Sequence, residues 1–423
     1  MRNTNSKFSS IKIESDYNFE EFKKFVQNRI LPLTTTAANT GHFDREIYES
    51  LHQMGLLQSA TPKDFGGRGL NVTDLIWLVR ELAYGSAGIA GTFIGNLLGY
   101  STILIYANDE LKKILIDKTI SHLNLWSFAM TEAGVGSDLQ NTQTIATETS
   151  DGYIISGEKN FITNAPIADD LSVFAQTYDS FGNKRGVSCF YIPGNSKGLK
   201  RGATMDKIGW RESQTGTLYF YNVCIPKNFL LGEIGQGLSI LTHCLNRSKT
   251  LLGAMAVGVS YRAMDLAIER LAATERYGKP LLEQSSIRHL FARLHTEVEA
   301  AWLLTCSAAT TWDHQKIAVR EASMAKLYAG QVASKVTSQM MELFGARGYF
   351  NDFEISKLWR DAKAIEIVEG PSLVQELLIA KEILPKNKTK QTSKEDVFQV
   401  KSDELSNFKD LTFAGSPILG RPF

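Results

Sequence analysis

The 423-residue chain has little cysteine, no excess of charge of either sign and no metal-ligand pattern. Its four cysteines, Cys189, Cys224, Cys244 and Cys306, are scattered and form no CxxC pair. That excludes a disulfide framework or a thiolate metal site and suits a reducing cytoplasm. Lys+Arg 46 against Asp+Glu 45 leave a net charge of +1, too little to neutralise a phosphate backbone, so nucleic-acid binding is excluded as the main activity. Among the seven histidines there is no HExxH, and His289 and His295 do not share a helix face, so no metal is expected. A Walker sequence and a full GxGxxG after a strand are missing too; Gly134-Val135-Gly136-Ser137-Asp138 has only part of that glycine spacing. We read no apolar run as approaching the roughly 18 residues that cross a bilayer, and no signal core in a polar N-terminus carrying Glu14 and Asp16. The expectation is a cytoplasmic protein with no membrane span, of two to three domains at about 150 residues each.

What is present changes texture along the chain. Residues 1–123 read as helical: Leu51, Met54 and Leu57 follow helical spacing, as do Leu75, Leu78, Val79 and Leu82. A further pattern runs from Ile103 to Leu115. Asp64 to Gly69 marks a loop, with Asn71 or Thr73 as the next N-cap. Over residues 124–236, β-branched and aromatic runs alternate with polar residues, as in Leu171–Ala175, Val187–Ile192 and Leu218–Val223. Asp151-Gly152 and Gly182-Asn183 read as hairpin turns, so a compact β domain is expected. Helical spacing returns over residues 237–384, clearest from Ala318 to Leu343, with a stop at Gly345. Gly253, Ala254, Ala256 and Gly258 would let helices of a bundle approach closely. Residues 385–423 are a polar, lysine-rich linker followed by an apolar tail.

Four segments carry the chemistry. They are Phe128 to Asp138 (FAMTEAGVGSD), Gly157 to Ala165 (GEKNFITNA), Arg276 to Pro280 (RYGKP), and Arg360 to Lys363 (RDAK) followed by Ile367-Val368-Glu369-Gly370. In this order and at this spacing the chain resembles the acyl-CoA dehydrogenase family, over about residues 20–384. The fold implied is α+β and multidomain: an N-terminal α-helical domain, a central β-barrel or sandwich, and a C-terminal four-helix bundle. The implied assembly is a homotetramer or homodimer, with FAD between the β domain and the bundle and its adenine end reaching a neighbouring subunit. The implied reaction takes a proton from Cα of an acyl thioester and a hydride from Cβ to flavin N5. Electrons then leave through an electron-transferring flavoprotein or another acceptor.

The resemblance assigns roles residue by residue. Removing a weakly acidic α-proton needs a positioned carboxylate, and Glu369 stands where the family's base stands. Its buried setting should raise its pKa toward neutrality. Its own N–H, together with the flavin ribityl hydroxyl, would bind the thioester carbonyl, with Gly370 beside it as a substrate contact. Phe128, Met130, Thr131, Gly136, Ser137, Phe161, Ile162 and Thr163 match positions around the flavin ring, with Phe161 as the aromatic packed on it. Glu342 and Gly345 fall at the adenine end, and Arg276, one residue before Tyr277, is a candidate for the pyrophosphate or a surface charge. Ser137, Asn246 and Lys249 match substrate contacts, Lys249 as a cation for the CoA arm.

The departures matter as well. Thr274, Ser285 and Glu342 replace an arginine and two glutamines common in the family, which weakens the adenine end. Ser248 occupies a position where some members place an alternative glutamate base, so that alternative is closed. The changed stretch Asn246 to Lys249 admits a biosynthetic dehydrogenase acting on a carrier-protein-tethered acyl group instead of CoA. A flavin monooxygenase or a non-catalytic member of the fold are further alternatives.

Overall fold

In this computed structural model residues 17–34, 40–136, 138–276 and 278–384 are described. The sequence-read linker and apolar tail, together with Ser137 and Tyr277, lie outside them. The N-terminal region consists of α1 (Phe19–Phe25), α2 (Arg45–Gln53), α3 (Val72–Gly85), α4 (Ala87–Tyr106) and α5 (Asp109–Ser121). Asn71, Ser86 and Asn108 each accept a hydrogen bond from the amide three residues on, starting α3, α4 and α5. Two local expectations are corrected. The helix through Leu51 stops at Gln53 before reaching Leu57, because Gly55 turns left-handed at φ 71°. The pattern from Ile103 to Leu115 is two helices, broken where Asn108 restarts the chain, and Ile105 and Ile114 are exposed.

Helix α4 also corrects the reading of apolar runs. It and α6 (Gly237–Ala272) are long and apolar enough to cross a membrane by length and composition. The apolar windows are 78% and 72% buried inside the protein, so packing already covers most of that surface. Gly88, Gly91, Gly95 and Gly99 line the face of α4 that meets the β domain. A Cβ on them would stand 2.6 Å from Glu212, 3.0 Å from Trp210, 2.9 Å from Thr163 and 3.0 Å from Trp126, respectively. The missing side chains let the helix backbone lie directly on these residues.

Eight strands form one sheet: β1 (Trp126–Ala129), β2 (Ile145–Glu148), β3 (Gly152–Thr163), β4 (Asp170–Tyr178), β5 (Lys184–Pro193), β6 (Leu199–Arg201), β7 (Thr215–Pro226) and β8 (Leu230–Leu231). Their order is β6-β7-β3-β2-β4-β5-β8, with β1 beside β4. Both predicted hairpins are present, β2 to β3 and β4 to β5. Tyr153 on β3 and Phe190 on β5 have ring centroids 5.0 Å apart. In a flat sheet three strand spacings, about 14 Å, would separate them, so the sheet folds over a shared apolar core. Among the described residues β6 and β8 do not pair, so the domain is an open, curled sheet and not a closed barrel.

The C-terminal helices are α6, α7 (Ser285–Gln315), α8 (Val319–Leu343), α9 (Glu354–Ile367) and α10 (Ser372–Ile383). Helix α8 buries Ala322, Ala325, Ala329, Val332, Val336 and Met340, and Gly345 ends it at φ 60°. On α6, a Cβ at Gly253 would meet Thr305 of α7 at 2.7 Å, and one at Gly258 would meet the Arg80 carbonyl of α3 at 2.2 Å. The first and last thirds of the sequence therefore pack as neighbours. Asp313 of α7 reinforces this by accepting hydrogen bonds from the Val72 and Thr73 amides, each at 2.9 Å. The Arg80 guanidinium lies 4.1 Å from the Trp77 ring and 4.5 Å from the Trp302 ring.

One buried ionic cluster joins all three regions. Lys357 of α9 contacts Asp361 at 2.5 Å and Glu212 of the β domain at 3.0 Å. Ser86, the cap of α4, donates to Glu212 Oε1 at 2.5 Å. The Trp210 amide donates to Asp361 Oδ1 at 2.6 Å and its indole N–H to the Asp361 carbonyl at 3.0 Å. All three ionic side chains are buried. Burial disfavours the Lys357 ammonium, but Asp361 and Glu212 outweigh it and raise its pKa above the ordinary lysine range.

Candidate active site

Glu369 sits in the short link between α9 and α10, at φ 54°, followed by Gly370 at φ 92°. Two successive left-handed residues are costly for any residue but glycine, and the surroundings hold them in place. Lys326 Nζ donates to the Gly370 carbonyl at 2.6 Å and to the Glu366 carbonyl at 3.0 Å. Gln375 Nε2 donates to the Glu369 carbonyl at 3.1 Å and to that of Gly370 at 2.8 Å. A Cβ at position 370 would meet Gln375 Nε2 at 2.9 Å and displace the amide that holds these carbonyls.

The carboxylate is directed inward. Ser248 Oγ on α6 donates to Glu369 Oε1 at 2.6 Å. Oε2 is buried and has no hydrogen-bond partner among the described residues. Burial pushes the Glu369 carboxyl up to about 7, against the lowering effect of the Ser248 hydroxyl and of the Lys249 and Lys326 charges. The expected shift toward neutrality is present, and desolvation is its cause. Burial in turn lowers Lys249 and Lys326 to about 8, with Glu369 acting in the opposite direction on both.

The segments around Thr131 and Phe161 lie side by side, the Asn160 amide donating to the Thr131 carbonyl at 2.8 Å. The β3–β7 register breaks between Lys159 and Ile162, and at this bulge Phe161 adopts φ 58° and turns outward, 61% exposed. Asn160 Oδ1 supports the bulge, accepting from the Phe161 amide at 2.8 Å and from Thr217 Oγ1 at 3.2 Å. Phe128, Thr131 and Thr163 are half-buried. Met130 and Ile162 are buried within the apolar cores, so only their backbones remain for a ligand. Nothing lies within 4 Å of a Cβ built at Gly134 or Gly136, which leaves open space beside that loop. An exposed aromatic face, half-buried hydroxyls and open backbone beside them suit a flat, polar-edged ring.

A buried ion pair holds this loop against β3. Lys159 Nζ donates to Glu132 Oε1 at 2.7 Å, to Thr142 Oγ1 at 2.8 Å and to the Met130 carbonyl at 2.9 Å. Glu132 also accepts from the amides of Gln143 at 2.6 Å and Thr144 at 2.9 Å. Burial alone would raise the Glu132 pKa, but Lys159 and these donors hold it at about 2, below its ordinary 4.5. Stability from this depression is complete above about 4.5 and is lost as pH falls toward 2. Lys159→Met is expected to leave Glu132 buried and unpaired, so that stability falls most at neutral pH, where that carboxylate would be ionised, the acid loss between 4.5 and 2 shrinks, and flavin retention weakens. Acid titration followed by circular dichroism, with flavin absorbance in parallel, checks this.

The residues assigned to the adenine end lie elsewhere. Arg276 is exposed on a two-stranded hairpin beyond α6, its guanidinium donating to the Glu275 carbonyl. Glu342 and Gly345 are exposed at the end of α8, where Glu342 accepts from Gln339. Arg270 stacks on Phe344 at 5.3 Å, which brings the ends of α6 and α8 together. Along α6 that end is about 33 Å from Ser248 and hence from Glu369. Arg276, Glu342 and Gly345 therefore lie toward the far end of α6 from Ser248.

Two of the residues assigned to substrate contact lie on α6 beside Ser248. Asn246 and Lys249 are buried, and Lys249 Nζ approaches Asn246 Oδ1 at 3.4 Å. Lys249 is near enough to Glu369 for each charge to act on the other. Sequence reading missed Ser248, Lys326 and Gln375 as supports of Glu369. A lysine within the buried alanine stripe of α8 was the available signal for Lys326.

The comparisons with known proteins agree with this architecture. Family models for the acyl-CoA dehydrogenase N-terminal, middle and C-terminal domains match residues 16–122, 127–223 and 235–384. The chain is 32% identical to a 3-(aryl)acrylate reductase of Clostridium sporogenes, over 86% of this chain and 96% of that protein. It is 31% identical to a caffeyl-CoA reductase-Etf complex subunit CarC of Acetobacterium woodii, over 82% and 92% respectively. It also resembles the solved butyryl-CoA dehydrogenase of Megasphaera elsdenii, with TM-score 0.82 and 31% identity over 86% of this chain and 98% of that one. With all three domains matched, the chain belongs to the acyl-CoA dehydrogenase family and is an oxidoreductase of that type.

Proposed function

We propose that this chain catalyses α,β-dehydrogenation of an acyl-CoA to the trans-2-enoyl thioester, with Glu369 as the base for the α-proton. The observation that carries the reading is the buried, unpartnered Oε2 of a carboxyl whose pKa lies near 7. A base is most effective when its pKa lies near the working pH, because it is then partly ionised yet still basic. FAD is the cofactor; when bound it supplies the hydride acceptor. Phe161 offers the ring face, Thr131 and Thr163 offer hydroxyls, and the Gly134–Gly136 loop leaves room. The Glu369 N–H and the Gly370 backbone hold the thioester carbonyl while the side chain takes the proton.

Because the carboxyl lies near 7, the same group can return a proton when the enoyl thioester is reduced. The two relatives described above carry reductase names, so reaction direction follows from the electron partner. An electron-transferring flavoprotein is the proposed partner, as the Etf complex of the CarC relative suggests. Asn246 and Lys249, in the changed stretch that admits a carrier-protein-tethered substrate, are both buried. A homotetramer or homodimer is supported by exposed Tyr349, Phe350, Leu373 and Leu377. The four free cysteines fit the proposed cytoplasmic location.

The test is the visible spectrum of the purified protein. It is expected to show an oxidised-flavin band that bleaches anaerobically with an acyl-CoA, or with electrons from a reductant before enoyl-CoA restores it. Protein that takes up no added FAD, or whose flavin answers no thioester across chain lengths, would overturn the reading.

A further inference from the structure

The two oxygens of the Glu369 carboxylate are chemically equivalent until something distinguishes them. Ser248 does so: its hydroxyl donates to Oε1 at 2.6 Å, while Oε2 is buried with no partner among the described residues. Ser248 is itself buried on α6, and α6 packs on α3, α7 and α8, so the donor is fixed in position.

Among the described residues, the other charged and amide side chains around this carboxyl direct their N–H donors elsewhere. Lys326 from α8 spends its ammonium on the Gly370 and Glu366 carbonyls. Lys249, on the same helix as Ser248, approaches Asn246. The Glu366 carboxylate of α9, beyond Lys326, is engaged by Ser334 and Lys363. Gln375 of α10 is neutral and bonds the backbone carbonyls of Glu369 and Gly370. Among the described residues, Ser248 alone makes a direct hydrogen bond to the carboxylate, whereas the two lysines act on it as unbonded charges.

We infer that Ser248 is a positioning residue: its hydroxyl commits Oε1, leaves Oε2 as the oxygen that exchanges the substrate α-proton, and favours the ionised base. The inference rests on the proposed role of Glu369. The direction of its effect follows from chemistry. A hydroxyl donates a stronger hydrogen bond to a carboxylate than to a carboxylic acid, so it opposes the rise that burial imposes. Without it the base would hold its proton to higher pH.

The experiment compares Ser248→Ala and Ser248→Thr with wild type as holoprotein. One readout is the pH dependence of anaerobic bleaching by acyl-CoA. The other is infrared titration of the carboxylic C=O band that Glu369→Gln removes, which needs no turnover. For Ser248→Ala the infrared midpoint is expected to rise by roughly one pH unit. Bleaching below the midpoint falls about tenfold for each unit of that shift and recovers at alkaline pH. Ser248→Thr, which keeps the hydroxyl, restores both. An unchanged infrared midpoint, or a loss of rate by the same factor at every pH, overturns the assignment. If wild type bleaches with no thioester, the proposed function fails, while the infrared titration still decides whether Ser248 holds the carboxyl.

Discussion

Glu369→Gln is expected to retain flavin and bind acyl-CoA, yet slow reductive bleaching by about 10³–10⁴-fold, the scale of a lost general base. The amide fills the same space and can still face Ser248, but it has no lone pair basic enough to take an α-proton. Wild-type bleaching should itself rise with pH through about 7, because the protonated carboxyl cannot act as a base. A stability measurement separates this from a folding defect. The folded-state pKa of Glu369 lies above its ordinary 4.5, so burial costs stability as pH rises from 4.5 through 7. The glutamine variant escapes that cost. Its melting temperature should exceed that of wild type at pH 8 and converge with it toward pH 5. Bleaching at the wild-type rate would remove Glu369 from the mechanism.

Lys357→Met is expected to be the most damaging change to stability, by about 3–5 kcal/mol. It would leave Glu212 and Asp361 as two buried carboxylates without their cation. The loss should reach the active site as well. Asp361 holds Trp210, Trp210 leads into Thr215, and Thr215 pairs with Thr163 at the flavin edge. In the other direction, α9 leads from Asp361 to the link bearing Glu369. Thermal melting and flavin retention should therefore fall together. Adding Glu212→Gln to Lys357→Met should recover part of both, because one stranded charge is then removed. A single variant that melts with the wild type would show that the cluster does not hold the regions together.

Particular residues show what was legible in advance. The Ala318 to Leu343 spacing was readable as a helix because a repeated stripe of small residues has one stable arrangement, packed inward. The β hairpins were readable because their turn residues and alternating flanks are local signals. The break between α4 and α5 was not, since an asparagine cap inside a continuous apolar pattern competes with the pattern itself. The apolar run of α4 was underestimated because its glycines and threonines dilute its hydropathy, while tertiary packing buries it. Glu369 was legible as a base by resemblance, but Ser248, Lys326 and Gln375 come from α6, α8 and α10, at separations no local pattern reveals.

From the sequence alone came the family, the three-part order of helical, β and helical regions, and the carboxylate ahead of Gly370, because motifs and periodicity are short-range properties of the chain. Only the tertiary structure decided which oxygen of that carboxylate is free, that Lys249 is buried beside it, and that the end of α6 meets the end of α8 through Arg270 and Phe344. The pKa and geometry of a buried group depend on desolvation and on partners from distant elements, and those exist only once the chain has folded.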